Sequence, residues 1–177
     1  KSGAKFDPEK AKWFNQQHLR NKSNSELSSL ILEDCKYDVG NEYLEKVAEL
    51  MKERATFHHE LLSEDYFFKT FEDYDQKTFR KKWKSNSISL VNEFFSELNS
   101  LESFNAETIE NTFKCFIERK EIGMGALLPS LRLILTGKGM GPSLFSIMEL
   151  IGEEEVMKRF KEKSIFFENL FLEKSDL

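Results

Sequence analysis

Apolar residues along this chain recur every three or four positions, and nowhere do they alternate with polar ones for the length of a strand. Asp7-Pro8-Glu9 joins an N-cap acceptor to a proline at the first helical position, and it leads into Trp13 and Phe14. Ser23 and Glu26 make a capping box ahead of Leu27, Leu30 and Ile31. A helix opening at Asn41 carries the stripe Leu44, Val47, Leu50 and Met51, spaced as a half-buried helix requires. From Phe57 to Tyr74 the pattern breaks up. Tyr66-Phe67-Phe68 and Phe71-Glu72-Asp73-Tyr74 mix aromatic and acidic residues, which predicts a junction of short helices between two subdomains. Past it, Ile88, Val91, Phe94, Phe95 and Leu98 form another stripe, and Asn105 caps a helix facing inward through Ile109, Phe113, Phe116 and Ile117.

The stretch from Leu128 to Phe145 is the most informative. A mostly apolar helix carries one arginine, Arg132, and is followed by the turn Gly137-Lys138-Gly139-Met140-Gly141 and a second apolar helix that Pro142 is expected to open. Gly123 and Gly125 stand at the other end of the Arg132 helix. Gly152 is expected to close the second helix in a left-handed conformation. Glu153-Glu154-Glu155 then places acids at the positive end of a last helix, with Lys158, Arg159, Lys161 and Lys163 further along, as the helix dipole favours. The pattern leaves the structure of the apolar, uncapped tail from Ile165 to Leu177 open. The expected fold is all-α without a sheet, in two consecutive helical subdomains, residues 1–70 and 71–177.

With 40 % hydrophobic and 32 % charged residues, the chain has the composition of a packed globular protein rather than a disordered one. No apolar run approaches the roughly 18 residues of a membrane span, and no signal peptide is legible. Cys35 and Cys115 stand far apart, so two buried, reduced thiols in a cytoplasmic protein are expected, with a disulfide left open. Lys1 rather than Met begins the sequence, as it would in a processed protein or a fragment. A net charge of -5 argues against general affinity for nucleic acid but leaves room for a local basic face. Positive charge does gather, at Arg80-Lys81-Lys82-Trp83-Lys84 and around Lys114, Arg119 and Lys120, although solvated helix surface accounts for either cluster equally well.

Catalytic chemistry is hard to find. His58 and His59 are adjacent, hence about 100° apart on a helix and unable to chelate one metal side by side. His18 is isolated, and the zinc, nucleophile-elbow and phosphate-loop motifs are absent. The Gly137–Gly141 turn lacks the preceding strand and the spacing of a nucleotide loop. No catalytic residue and no metal ligand are expected in this chain.

Lys5-Phe6-Asp7-Pro8-Glu9-Lys10-Ala11-Lys12-Trp13-Phe14-Asn15 resembles the opening of the C-terminal anticodon-binding region of bacterial-type glutamyl-tRNA synthetases, which are class I aminoacyl-tRNA synthetases. Pro129-Ser130-Leu131-Arg132, Leu135-Thr136-Gly137, Gly141-Pro142-Ser143-Leu144-Phe145 and Glu149-Leu150-Ile151-Gly152 look like the closing motif of that region. Glu49-Leu50-Met51-Lys52-Glu53-Arg54 also fits, as does the junction ending at Asp73-Tyr74, so the matches run in order to about Phe160.

The resemblance implies a helical bundle followed by a helical cage. It also implies a parent enzyme that joins glutamate to its tRNA, using ATP and Mg2+ in a catalytic domain. The nucleotide-binding signatures of that domain are absent here, Lys82-Trp83-Lys84-Ser85-Asn86 being only a superficial echo of one. The chain would then be the tRNA-reading part, holding no cofactor itself and acting as a cytoplasmic monomer on the anticodon loop of tRNA(Glu).

By the same resemblance Arg54 sits where family members place an arginine that favours cytosine at the last anticodon position, while Arg132 and Gly141, Pro142, Ser143 and Leu144 match the turn against which splayed anticodon bases lie. Guanidinium suits the first role because it offers several donors and keeps its charge at any relevant pH. Plainer accounts stand beside these roles: a surface arginine at a helix end for Arg54, a structural ion pair for Arg132, core packing for Leu144. Lys138-Gly139-Met140 departs from the family's turn in being more flexible and more basic. A helical protein-interaction module without RNA binding is the alternative from a different class.

Overall fold

The computed structural model describes residues 7–175, and among them every regular element is helical. Residues 1–6 and 176–177, which include Lys5 and Phe6 of the opening motif and the end of the apolar tail, lie outside the described residues. Two compact units divide between Asp65 and Tyr66.

The first unit contains α1 (Pro8–Asn21), α2 (Asn24–Ile31), α3 (Asn41–Met51) and a 3-10 turn at His58–Leu62. Its helix starts are written in the side chains. Asp7 accepts from the amides of Glu9 and Lys10 at 3.1 and 3.3 Å. Ser23 accepts from the Glu26 amide at 3.2 Å while Glu26 accepts from the Ser23 amide at 2.8 Å, so two orphan donors of α2 are satisfied reciprocally. α2 packs on α3 and on the 3-10 turn, around the fully buried Leu27, Ile31, Leu44, Val47 and Leu61. Leu30 stays largely exposed, and Ala48 takes the buried position beside Val47 where Leu50 is only half-buried.

The second unit contains α4 (Gln76–Lys82), α5 (Ser87–Leu98), α6 (Ala106–Arg119), α7 (Met124–Thr136), α8 (Leu144–Ile151) and α9 (Glu153–Ser175). α7 lies at its centre, packed by α4, α5 and α9. Every residue from Ser130 to Thr136 is buried, so this part of the helix has no solvent face and is surrounded on all sides, while its first turn at Met124–Ala126 is exposed. Aromatic rings fill the surrounding layers. Phe94 meets Phe113 and Phe116 edge-on at 5.7 and 5.6 Å, Phe95 stacks on Phe160 at 3.9 Å, and Phe79, Trp83 and Phe167 form a trio with ring centres 5.2–5.6 Å apart. Each such pair is worth about 0.5–1.5 kcal/mol beyond the area it buries.

Several expectations are corrected. α8 begins at Leu144, not at Pro142, because the Ser143 hydroxyl takes the N-cap by accepting from the Ser146 amide at 3.4 Å, which leaves Pro142 in the entering turn. Gly152 has a positive φ of 84°, but its ψ of 160° is extended rather than left-handed helical, since α9 restarts at the very next residue. The tail from Ile165 continues α9, anchored by the buried Phe167. Cys115 is exposed and Cys35 half-buried, both free thiols. Cys115 misses the core because it lies about 100° from Phe116 and 200° from Phe113 around α6.

Candidate nucleic-acid interface

In the first unit Arg54 occupies the turn that leaves α3. Its amide and that of Ala55 both donate to the Met51 carbonyl, at 2.9 and 3.0 Å, and Ala55 is buried beneath the turn. α1 holds the same turn from the side: the Asn15 amide group donates to the Thr56 carbonyl, and Arg20 donates to the Glu53 carbonyl at 2.8 Å and pairs with its carboxylate at 3.0 Å. From α2, Asn24 accepts from Lys52 at 3.2 Å. On the far side one Glu60 oxygen accepts from the amides of Thr56 and Phe57 at 2.6 and 3.2 Å. Upon this braced backbone the Arg54 side chain is exposed, and it makes no ion pair and no side-chain hydrogen bond among the described residues. A fixed corner therefore presents an uncommitted guanidinium, with only its own rotamers left to order on contact.

In the second unit the glycine turn is moulded to its surroundings. Gly137 ends α7 in the left-handed conformation (φ 69°), and a Cβ there would fall 2.6 Å from the Asp73 carbonyl. One on Gly139 would fall 2.1 Å from the Thr78 hydroxyl, and one on Gly141 2.8 Å from Nη1 of Arg132. Arg132 itself is buried, only 9 % exposed, and its Nη2 donates to the Pro142 carbonyl at 2.7 Å. Thr136 extends the tie, its hydroxyl donating to the Arg132 carbonyl at 2.7 Å and accepting from the Lys138 amide at 3.1 Å. Leu144 is core. Gly141 and Pro142 are half-buried, and Ser143, Lys138 and Met140 are exposed, Met140 at 79 %. Arg132 and Leu144 thus hold the turn from inside, while Gly141, Pro142 and Ser143 form its reachable surface.

The two basic clusters part company. Lys114 pairs with Glu110 at 2.6 Å, Arg119 with Glu97 and Lys120 with Glu93. Its hydrogen bond from Lys120 holds the Glu93 carboxyl below the ordinary range. That cluster is neutralised surface. Arg80, Lys81, Lys82 and Lys84, by contrast, lie exposed around the buried Phe79 and Trp83. His58 approaches Asp34 to 4.0 Å and His59 stacks on Phe57, and no group of three His, Cys, Asp or Glu side chains among the described residues could hold a metal ion.

Sequence reasoning gives Arg159 no role beyond that of one cation among several complementing the dipole of α9. The side chain is 1 % exposed and donates to Glu155 at 2.7 Å and to the carbonyls of Tyr66 and Leu135 at 2.7 and 2.9 Å. Its position was the available signal, since Arg159 falls three residues after the buried Val156, on the stripe that later holds Ser164 and Phe167.

A family profile described as an anticodon binding domain matches residues 11–163. The chain is 41 % identical over 165 residues to the glutamate–tRNA ligase of Parabacteroides distasonis, covering 91 % of this chain and 33 % of that protein. It is 45 % identical over 169 residues to the glutamate–tRNA ligase of Flavobacterium psychrophilum, covering 93 % and 33 %. Among solved structures it is similar to a glutamate tRNA ligase from Elizabethkingia meningosepticum crystallised with its amino acid, with a TM-score of 0.85 and 37 % identity over 93 % of this chain and 33 % of that one. The chain spans about a third of the length of these relatives.

Proposed function

This chain belongs to the family of anticodon binding domains, and we propose that it reads the anticodon of tRNA(Glu) as one part of an ATP-dependent glutamate–tRNA ligase. The observation that carries the reading is Arg54, a permanently charged donor group, exposed and uncommitted, on a corner braced by α1, α2 and Glu60. Such a group can fork onto the carbonyl and ring-nitrogen acceptors of an unstacked base, the state in which single-stranded loops are read. Cytosine at the last anticodon position is the base assigned to it. Gly141, Pro142 and Ser143 offer the surface for the other bases, with Arg132 and Leu144 fixing that surface from below. ATP and Mg2+ chemistry is assigned to the parts of such a ligase outside this chain. The whole acts as a cytoplasmic monomer; no helix among the described residues is long and apolar enough to cross a membrane.

Arg54→Ala tests the base assignment. Affinities for tRNA(Glu) and for a transcript changed only at the last anticodon base are compared by fluorescence titration. The unaltered chain will prefer the cognate base, and the variant will lose about 1–3 kcal/mol of that preference, by analogy with bidentate base readout. Because the replaced side chain is exposed, the thermal midpoint stays put. Equal affinity of the unaltered chain for the two transcripts removes the role from Arg54. No binding of either, at any salt concentration, favours a protein-interaction module instead.

A further inference from the structure

α4 has seven residues, and four of them are cations: Lys77, Arg80, Lys81 and Lys82. Lys84 follows, and no acid occurs between Asp75 and Glu93 in a chain whose net charge is -5. Phe79 and Trp83 turn inward, only 2 % and 3 % exposed. With about 100° between successive residues, Lys77, Arg80 and Lys81 then fall within about 100° of one another on the face opposite Phe79. All are exposed, and none makes an ion pair among the described residues. The nearest acid in sequence, Asp75, is already engaged, accepting from the Thr78 amide at 2.9 Å and its hydroxyl at 2.7 Å; those bonds keep its carboxyl below the ordinary range.

Helix stability does not explain this face. Cations in the last turn complement the helix dipole, but Lys77 stands in the first turn, where a positive charge opposes it. The glycine turn adjoins the same end of α4: the Gly137 carbonyl accepts from the Asp75 amide at 2.7 Å, and Gly139 lies against Thr78. Exposed Lys138, between those two glycines, stands next to α4. Cations therefore stand both on the turn and on the outer face of the helix, with the Asp75 carboxylate, engaged by Thr78, at the junction between them.

We propose that the outer face of α4, through Lys77, Arg80 and Lys81, binds the sugar–phosphate backbone of the RNA whose bases lie on the neighbouring glycine turn. This rests on the anticodon-reading assignment above. Phosphate contacts supply affinity without sequence information, which suits long flexible cations, and each contact releases counterions. The Lys114, Arg119 and Lys120 cluster, with each charge already met by a glutamate, takes no part.

The test is the salt dependence of tRNA(Glu) binding by the full chain. The triple variant Lys77→Gln, Arg80→Gln, Lys81→Gln will bind with a log–log salt slope shallower by about 2, at roughly 0.7 per lost single-strand phosphate contact. Across a fourfold rise in salt the unaltered chain then loses about 15-fold more affinity than the variant. The charge-keeping triple Lys77→Arg, Arg80→Lys, Lys81→Arg will keep the original slope, and so will Lys114→Gln with Arg119→Gln and Lys120→Gln. Preference for the cognate anticodon base will be unchanged in all of them. A neutralised α4 that binds with the original slope overturns this inference alone. Failure of the unaltered chain to bind RNA overturns the anticodon reading and this inference with it.

Discussion

Arg159→Ala will lower the unfolding free energy by about 3–5 kcal/mol, the range for breaking a buried charged pair by removing one partner. Three acceptors lose their donor at once. The Leu135 carbonyl is among the last four of α7, which have no intrahelical amide to take, so Arg159 acts as a tertiary C-cap for the central helix. The Tyr66 carbonyl lies at the start of the second unit, and Arg159 secures it across 93 positions of sequence. Glu155 is then left partly buried with only Thr70 and the exposed Lys158 to meet its charge. For a chain of this size the loss corresponds to a thermal midpoint lower by roughly 10 °C. Arg159→Lys will recover only part of it, because one ammonium cannot reproduce a planar fork aimed at three oxygens. A loss below about 1 kcal/mol for Arg159→Ala would show that water replaces the guanidinium at little cost.

The pH dependence of that deficit has a definite sign. Burial raises the Glu155 carboxyl, but the hydrogen bond and charge of Arg159, with Thr70 and Lys158, outweigh burial and leave it below the ordinary range. A carboxyl lowered by folding contributes stability that is complete above its unfolded pKa, near 4.3, and is lost as the pH falls through the folded value. Removing Arg159 withdraws that contribution at neutral pH, so the difference between the two proteins will narrow as the pH drops below about 4.5. Chemical denaturation at pH 7 and pH 3.5 reads the change directly.

What was legible in the sequence follows how local each interaction is. Asp7, Ser23 and Asn105 cap the helices they precede because their acceptors reach amides only two or three residues away. α7 could be read as a buried helix because its apolar run admits no polar face. At α8 two good start signals compete, and the serine side chain took the cap from the proline ahead of it. Arg159 could be mistaken for surface because its three acceptors come from Glu155, Tyr66 and Leu135, two of them distant in sequence. The candidate site divides in the same way. The exposure of Arg54 depends on side chains from α1 and α2 gripping its turn, which no spacing reveals. Arg132 was noticed for its isolation in an apolar helix, yet its partner, the Pro142 carbonyl, arrives only through the fold of the glycine turn.

Gly137→Ala will cost about 2–5 kcal/mol, although it adds one carbon. The first part is conformational, since φ of 69° places Gly137 in the left-handed region, where a Cβ crowds the following carbonyl at roughly 1–2 kcal/mol. The second is steric: the added carbon would lie 2.6 Å from the Asp73 carbonyl oxygen and 2.6 and 2.8 Å from atoms of the Phe71 ring. Neither neighbour yields cheaply. The Asp73 oxygen is main chain, two residues from the Asp75 amide that Gly137 itself accepts, and Phe71 is part of the buried core. Forcing such a contact apart costs about 1–3 kcal/mol more in a packed interior. Gly125→Ala supplies the control with the opposite sign: nothing lies within 4 Å of its added carbon and its backbone is helical, so up to about 0.5–1 kcal/mol is gained. Urea midpoints at constant slope will therefore move in opposite directions for two identical changes at either end of one helix. If both move the same way, contact with the 71–75 segment is not what makes residue 137 a glycine.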